Sequence, residues 1–392
     1  MSLAQRTVAL LGATGSIGTQ TLDVLRLESD RFQLIAISGG EHLSELAAIA
    51  GEFHVARIGV ISNAHRDLLR DLVGPEVDIV VGDEGLMSLS RDADIVVNAV
   101  LGFAGLPVTL AALEAGKRLA LANKESLIAA APLVARVRST TGAALLPIDS
   151  EHCAIHQCLA SSPAAPGYPD VRRLLLTASG GPFRGLTASQ LRNATKADAL
   201  KHPTWTMGAK ITIDSSTLMN KGLEVLEATA LFGIDVDRVD VVVHPQSIVH
   251  SMVEYVDGTV LAQLSRPDMR LPIAYCLGLP ERLAHGWGQM DFSTSFELTF
   301  EPPDVDAFPA LSLAYEAARR GGAAPAWLSA ANEVAVAAFL ADQIRWCEIV
   351  EVVARVMEHY VADSLDSIEA LIASDAAARR LAHGIVQNSH GS

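Results

Sequence analysis

The chain is poor in three things: aromatic rings, cysteine and positive charge. Aromatic residues make up 5% of the sequence although hydrophobic residues make up 50%. An interior built mainly from Ala, Val, Leu and Ile suits helices stacked on parallel strands, which points to an α/β fold. Four cysteines (Cys153, Cys158, Cys276 and Cys347) are too sparse for a disulfide framework in 392 residues. No stretch reads as a secretory signal, so a reducing cytosol is the expected setting. Thirty Lys and Arg against 45 Asp and Glu leave a net charge of −15. Nucleic acid and anionic lipid need clustered cations to displace their counterions, so neither is an expected partner. An anionic substrate would need a local cationic or dipolar site. The least polar stretch, 95–113, is interrupted by Asn98, Gly102, Gly105 and Pro107. It reads as a buried strand, a turn and a helix rather than a membrane span.

What is present is alternation. Strand-like runs at 7–11 and 32–38 flank a helical pattern at 17–27, making a βαβ unit with a further helix at 43–50. The pattern resumes with strands at 95–99, 118–122 and 143–148 and a helix at 106–115. Residues 1–149 are therefore expected to form one doubly wound sheet. Gly, Ser, Thr, His and Trp become frequent beyond it, in loops such as 177–184 and 201–216. Strands at 173–177, 239–243 and 249–255, with Asp257-Gly258 as a hairpin turn, predict a mixed sheet within a second domain, 150–285. A linker at 286–309 precedes helical patterns at 310–320, 326–341, 347–360 and 364–381, a terminal helical bundle over 310–392.

Gly12-Ala-Thr-Gly15-Ser-Ile-Gly18 follows a strand directly and opens a helix. Glycines let backbone N–H groups approach a pyrophosphate and the helix N-terminus supplies positive dipole, so this context favours dinucleotide binding. The second strand ends in Ser38-Gly39-Gly40-Glu41. An acid there bonds the ribose diol of NAD, so Glu41 alone favours NAD over NADP. The competing reading of Glu41 is a solvated residue starting the next helix.

Asp149 and Glu151 share one side of extended backbone where a strand gives way to a helix, and two such carboxylates can share a cation. Glu224 is a third candidate. Oxygen-only ligands suit Mg²⁺ or Mn²⁺. His152, Cys153, His156 and Cys158 invite comparison with a zinc site, but on one helix the two cysteines do not complete a tetrahedron with the histidines. Hydroxyls, an amide and cations cluster in 177–184, in Asp214-Ser215-Ser216-Thr217 and in Asn220-Lys221. A phosphate wants that mixture, although turns and helix caps use the same residues. Trp205, in His202-Pro-Thr-Trp, is either a lid over a ligand or a packed aromatic. Asn123-Lys124-Glu125 puts a cation and a carboxylate at a strand end, with capping by Asn123 as the alternative role.

Taken in order, these segments resemble the 1-deoxy-D-xylulose 5-phosphate reductoisomerase family, the similarity running through 12–18, 121–127, 146–152, 177–184, 202–207, 214–224, 244–253, 267–275 and 330–340. The resemblance implies a homodimer of three-domain chains: an N-terminal Rossmann-like cofactor domain, a central α/β catalytic domain with a mobile flap, and a C-terminal helical bundle. It implies a metal held by Asp149, Glu151 and Glu224. It implies substrate contacts at Lys124, Ser150, Glu151, Ser179, His202, Ser215, Asn220, Lys221 and Glu224, with Ser179, Ser215, Asn220 and Lys221 on the phosphate. Cofactor contacts carry over to Thr14, Gly15, Ser16, Ile17, Gly40, Asn123, Glu125, Met207 and Gly208, while Trp205 and Met207 match the flap. The implied reaction breaks and remakes a C–C bond and then reduces the aldehyde with NADPH, with Lys124, Glu151, His202 and Trp205 as catalytic candidates. Many members carry a basic residue where this chain has Glu41; NADPH is nonetheless the cofactor implied.

Two other classes compete. A semialdehyde dehydrogenase would use Cys153 as nucleophile, which requires a reactive thiolate. A non-enzymatic, dinucleotide-sensing regulator would need a basic recognition surface that this acidic chain lacks.

Overall fold

A run of apolar residues buried on both faces belongs inside a parallel sheet, and Val8, Ala9, Leu10 and Leu11 are fully buried in one. The computed structural model describes residues 5–162, 165–205, 207–362 and 367–389. In chain order its elements begin β1 (Arg6–Leu11), α1 (Ser16–Leu27), β2 (Phe32–Ser38), α2 (Leu43–Phe53), β3 (Arg57–Val60), α3 (Asn63–Val73), β4 (Asp78–Val81) and α4 (Gly82–Asp92). There follow β5 (Ile95–Asn98), α5 (Leu106–Glu114), β6 (Arg118–Leu121), α6 (Lys124–Val137), β7 (Ala144–Pro147), α7 (Ser150–Leu159) and β8 (Val171–Ala178). Two single-turn helices, α8 (Ala188–Leu191) and α9 (Lys196–Ala199), lead to α10 (Ala209–Ser216), α11 (Met219–Phe232), β9 (Val239–Val243), β10 (Val249–Tyr255) and β11 (Val260–Leu264). The remainder is helical: α12 (Arg270–Gly278), α13 (Ala310–Arg320), α14 (Ala324–Leu340), α15 (Trp346–Glu358) and α16 (Ile368–Ser389). The expected helix at 364–381 begins partly outside the described residues.

Two compact units result. The first comprises residues 1–126, 134–153 and 268–288. Its sheet has seven strands, ordered β4-β3-β2-β1-β5-β6-β7 and parallel throughout. Strand order reverses beside β1, whose neighbours are β2 and β5, and ligands of such sheets bind at that switch point. β3 and β4 add two strands that the sequence pattern leaves unassigned. The sequence placed 268–285 with the second domain, but α12 belongs here: Ile273, Tyr275, Cys276 and Leu277 join the core of Val8, Leu10, Ile37 and Val97.

The second unit comprises residues 127–133, 154–267 and 289–392. Its sheet has the order β11-β10-β8-β9, with β9 parallel and β10 antiparallel to β8, a mixed sheet as the sequence predicts. The hairpin through Asp257 and Gly258 pairs Met252 with Ala262. The terminal helices do not keep a core of their own. Leu328, Ala331, Val353 and Val356 share one with Ile213, Met219, Leu223 and Leu226 of α10 and α11. The expected linker is irregular yet attached: Glu301 forms an antiparallel bridge with Val243, and Arg184 Nη1 donates to its carboxylate at 2.9 Å.

Candidate functional site

In the first unit the glycine turn closes β1 against β2. Gly12 N and Ala13 N donate to Ser38 O at 3.1 and 2.8 Å. Gly12 has φ +90°, and a Cβ on Gly18 would lie 2.3 Å from Gly12 O, so no larger residue fits that crossing. Gly15 begins α1 in extended backbone, no side chain caps the helix, and Gly15 and Ser16 are exposed. First-turn amides at the switch point are thereby left facing outward, as a pyrophosphate requires. Thr14 lies near Gly39, since a Cβ there would be 3.5 Å from Thr14 Oγ1, which places Gly40 on the same rim.

Asn123 takes the capping role: its Oδ1 accepts from Ser126 N at 2.7 Å while its Nδ2 donates to the carbonyls of Gly102, at 2.5 Å, and Val100. Its side chain is thus used by the fold, which aims the following Lys124 and Glu125. Lys124 Nζ lies 2.6 Å from Asp149 Oδ2, both side chains nearly buried. Asp149 also opens α7, its Oδ1 accepting from Glu151 N at 3.2 Å and pairing with His152 Nδ1 at 2.8 Å. Burial alone would push the Asp149 carboxyl up; Lys124 and His152 outweigh it and hold the group well below the usual carboxylate range. Ser150 Oγ donates to the Glu151 carboxylate. Two carboxylates and an ammonium therefore meet at the C-terminal edge of this sheet.

In the second unit the three polar segments meet around tight backbone. Gly181 has φ +66°, and a Cβ on it would be 2.5 Å from Ser215 O, so glycine lets the 179–184 loop press against α10. Ser179 Oγ accepts from Gly181 N at 3.2 Å and lies 3.1 Å from His202 Nε2. His202 Nδ1 accepts from Thr204 N and Trp205 N at 3.1 and 2.9 Å, so the proton sits on Nε2 and donates to Ser179. Burial lowers the His202 pKa, in keeping with that neutral ring. Leu218, left-handed at φ 60°, turns the chain from α10 into α11 and sets Ser215 and Asn220 on either side of the corner. Along α11, Asn220 Nδ2 donates to Glu224 Oε1 at 2.6 Å and Lys221 Nζ pairs with the same carboxylate. Trp205 lies tilted against His250, ring centres 6.2 Å apart. Met207 and Gly208 follow in this unit, Gly208 opening α10.

Lys210, Asn332 and Trp346, which sequence reasoning missed, prop this region. Asp214, buried, pairs with Lys210 Nζ at 2.8 Å and accepts from Asn332 Nδ2 at 2.8 Å. Trp346 Nε1 donates to Ser216 Oγ at 2.8 Å. No local pattern in the sequence links Asn332 to Asp214, since the two lie 118 positions apart. The cysteines are structural. Cys153 and Cys276 are buried, burial raises the Cys276 thiol well above its ordinary value with Cys153 adding to the rise, and Cys158 is pushed up to about 11. A thiolate nucleophile at Cys153 is at odds with its 1% exposure.

Models of the family cover most of the chain. The model described as 1-deoxy-D-xylulose 5-phosphate reductoisomerase matches residues 8–131, its C-terminal domain model residues 145–232, and the DXP reductoisomerase C-terminal domain model residues 264–381. A 1-deoxy-D-xylulose 5-phosphate reductoisomerase of Cupriavidus metallidurans is 50% identical over 378 residues, 95% of this chain and 96% of that one. The chain belongs to the 1-deoxy-D-xylulose 5-phosphate reductoisomerase family. A Synechocystis member is 46% identical over 393 residues, covering 97% of both chains. The solved Zymomonas mobilis reductoisomerase in complex with NADPH superposes with TM-score 0.90 at 42% identity, over 97% of this chain and 99% of that one. A reductoisomerase solved with NADPH, fosmidomycin and magnesium matches equally, with TM-score 0.90, 42% identity and coverage of 97% and 98%.

Proposed function

We propose that this chain rearranges and reduces 1-deoxy-D-xylulose 5-phosphate to 2-C-methyl-D-erythritol 4-phosphate, a step of isoprenoid precursor synthesis, using NADPH and Mg²⁺ or Mn²⁺. The observation that carries the reading is the pairing of buried carboxylates with buried ammoniums, Asp149 with Lys124 and Glu224 with Lys221. Such carboxylates offer hard oxygen donors. With Glu151 they form the set that would hold the divalent ion. That ion would supply Lewis-acid polarisation of the substrate's carbonyl and hydroxyl oxygens.

The chain's own groups do the rest. Hydroxyls of Ser179 and Ser215, the Asn220 amide and the Lys221 ammonium grip the phosphate and fix the sugar's register. His202 keeps Ser179 aimed. Lys124 steadies negative charge on substrate oxygens and, with Glu151 and Ser150, manages the protons exchanged there. Trp205 and Met207 close over the bound substrate and exclude water. Thr14, Gly15, Ser16, Ile17 and Gly40, with Asn123, Glu125 and Gly208, receive the dinucleotide.

A homodimer fits the second sheet, whose edge strand exposes Val260, Leu261 and Leu264, with Phe292, Phe296 and Phe300 also exposed in this unit. The cytosol fits the thiols, and among the described residues no helix is long and apolar enough to cross a membrane. The direct test is Glu224→Gln. It should fold normally and lose turnover by on the order of 10²- to 10³-fold. Full activity in that variant removes Glu224 from the site.

A further inference from the structure

In a doubly wound nucleotide fold, the residue following the second strand decides between a ribose diol and a 2′-phosphate. Here β2 ends at Ser38 and the chain passes Gly39 and Gly40 to Glu41, an anion that would repel a 2′-phosphate. The structure gives that anion a partner. Glu41 Oε2 lies 3.3 Å from His65 Nε2, and the Glu41 side chain is 79% exposed against 19% for His65. His65 is fixed where Glu41 is not. Ser62 caps α3 by accepting from His65 N at 3.3 Å, and Ser62 Oγ lies 2.6 Å from His65 Nδ1. With the hydroxyl proton donated to Nδ1, a neutral ring carries its own proton on Nε2; a charged ring carries one there in any case. In both states His65 presents an N–H to whatever anion stands beside the β2 rim.

We propose that His65 is the residue that selects the 2′-phosphate of NADPH, and that Glu41 is a displaceable carboxylate occupying its N–H in the absence of that phosphate. A phosphate dianion accepts a stronger hydrogen bond than a carboxylate. Glu41 can yield, because it is largely in solvent and follows Gly40, around which a Cβ would meet nothing within 4 Å. NADH, which lacks the phosphate, leaves the Glu41–His65 pair intact. The inference rests on the proposed cofactor site, and the discrimination it assigns belongs to α3, outside the glycine motif.

The test is a fluorescence titration of the full chain with NADPH and with NADH at fixed pH and salt, for wild type, Glu41→Gln, His65→Ala, the double variant and His65→Arg, with thermal melts on each. Glu41→Gln should tighten NADPH by about fivefold and leave NADH within about twofold. His65→Ala should weaken NADPH by about five- to tenfold with NADH unchanged, and His65→Arg should restore NADPH binding. Because Glu41 acts by competing for His65, the gain from Glu41→Gln should shrink in the His65→Ala background. Wild type binding NADPH while His65→Ala shifts both dinucleotides equally, or neither, overturns the inference and leaves the cofactor site standing. Strictly additive effects in the double variant also overturn it. Wild type binding neither dinucleotide overturns the cofactor reading and the inference together.

Discussion

The two units build their sites by different means. In the first, backbone does the work: strand ends, a glycine crossing and an uncapped helix start place amides at the switch point, and the side chains that matter sit within a few residues of a strand end. In the second, side chains converge from α10, α11 and two loops, and helices more than a hundred residues away hold them in place. A backbone site depends on close approach; a side-chain site depends on its props. Substitutions in the glycine turn and among the second unit's props should therefore act on different ligands.

The largest effect expected along this divide is at Gly18. A methyl at Gly18→Ala meets Gly12 O at 2.3 Å, so the turn must open. At about 1–3 kcal/mol for such overpacking, NADPH should bind roughly five- to 150-fold weaker. Titration with inorganic phosphate or a phosphonate substrate analogue should show the second unit's site unchanged, and equal weakening of both would erase the contrast. Next comes Asp214→Ala, which strips the partner from Asn332 and Lys210. It should cost about 1–3 kcal/mol of stability in denaturant titration and raise the KM for the phosphorylated substrate, with the NADPH Kd unmoved. A change in NADPH Kd alone would contradict the division.

The smallest effect is a pH dependence. His202 has its pKa lowered in the folded chain by burial, so the unfolded chain binds the proton more readily. Its contribution to stability is present above the ordinary histidine value and is lost as pH falls below about 6.5. Protonation would set an N–H against Thr204 N and Trp205 N, loosening the Trp205 loop. In melts from pH 8 to 5, wild type should lose stability at the acid end by more than His202→Asn; identical curves would remove the effect.

How much of this was legible follows the same divide. Gly12 to Gly18 and Asp149-Ser-Glu151 could be read because their chemistry is packed into a few residues flanked by a strand and a helix. Ser179, Ser215 and Asn220 with Lys221 were individually no more than turns and caps, and only their order along the chain made them specific. Asn332, Trp346 and His65 were not legible, since each acts on a residue brought near by folding rather than by spacing. Residues 268–285 pattern with the second domain in the sequence because α12 is apolar almost all round, and such a helix does not announce which core it enters.

Rearrangement and reduction are coupled through the metal, and NADPH absorbance reports that coupling most directly. With 1-deoxy-D-xylulose 5-phosphate present, the absorbance should fall only when Mg²⁺ or Mn²⁺ is supplied, stop on addition of a chelator and resume when the metal is restored. Oxidation at the same rate in chelator, or none with substrate and metal both present, would contradict it.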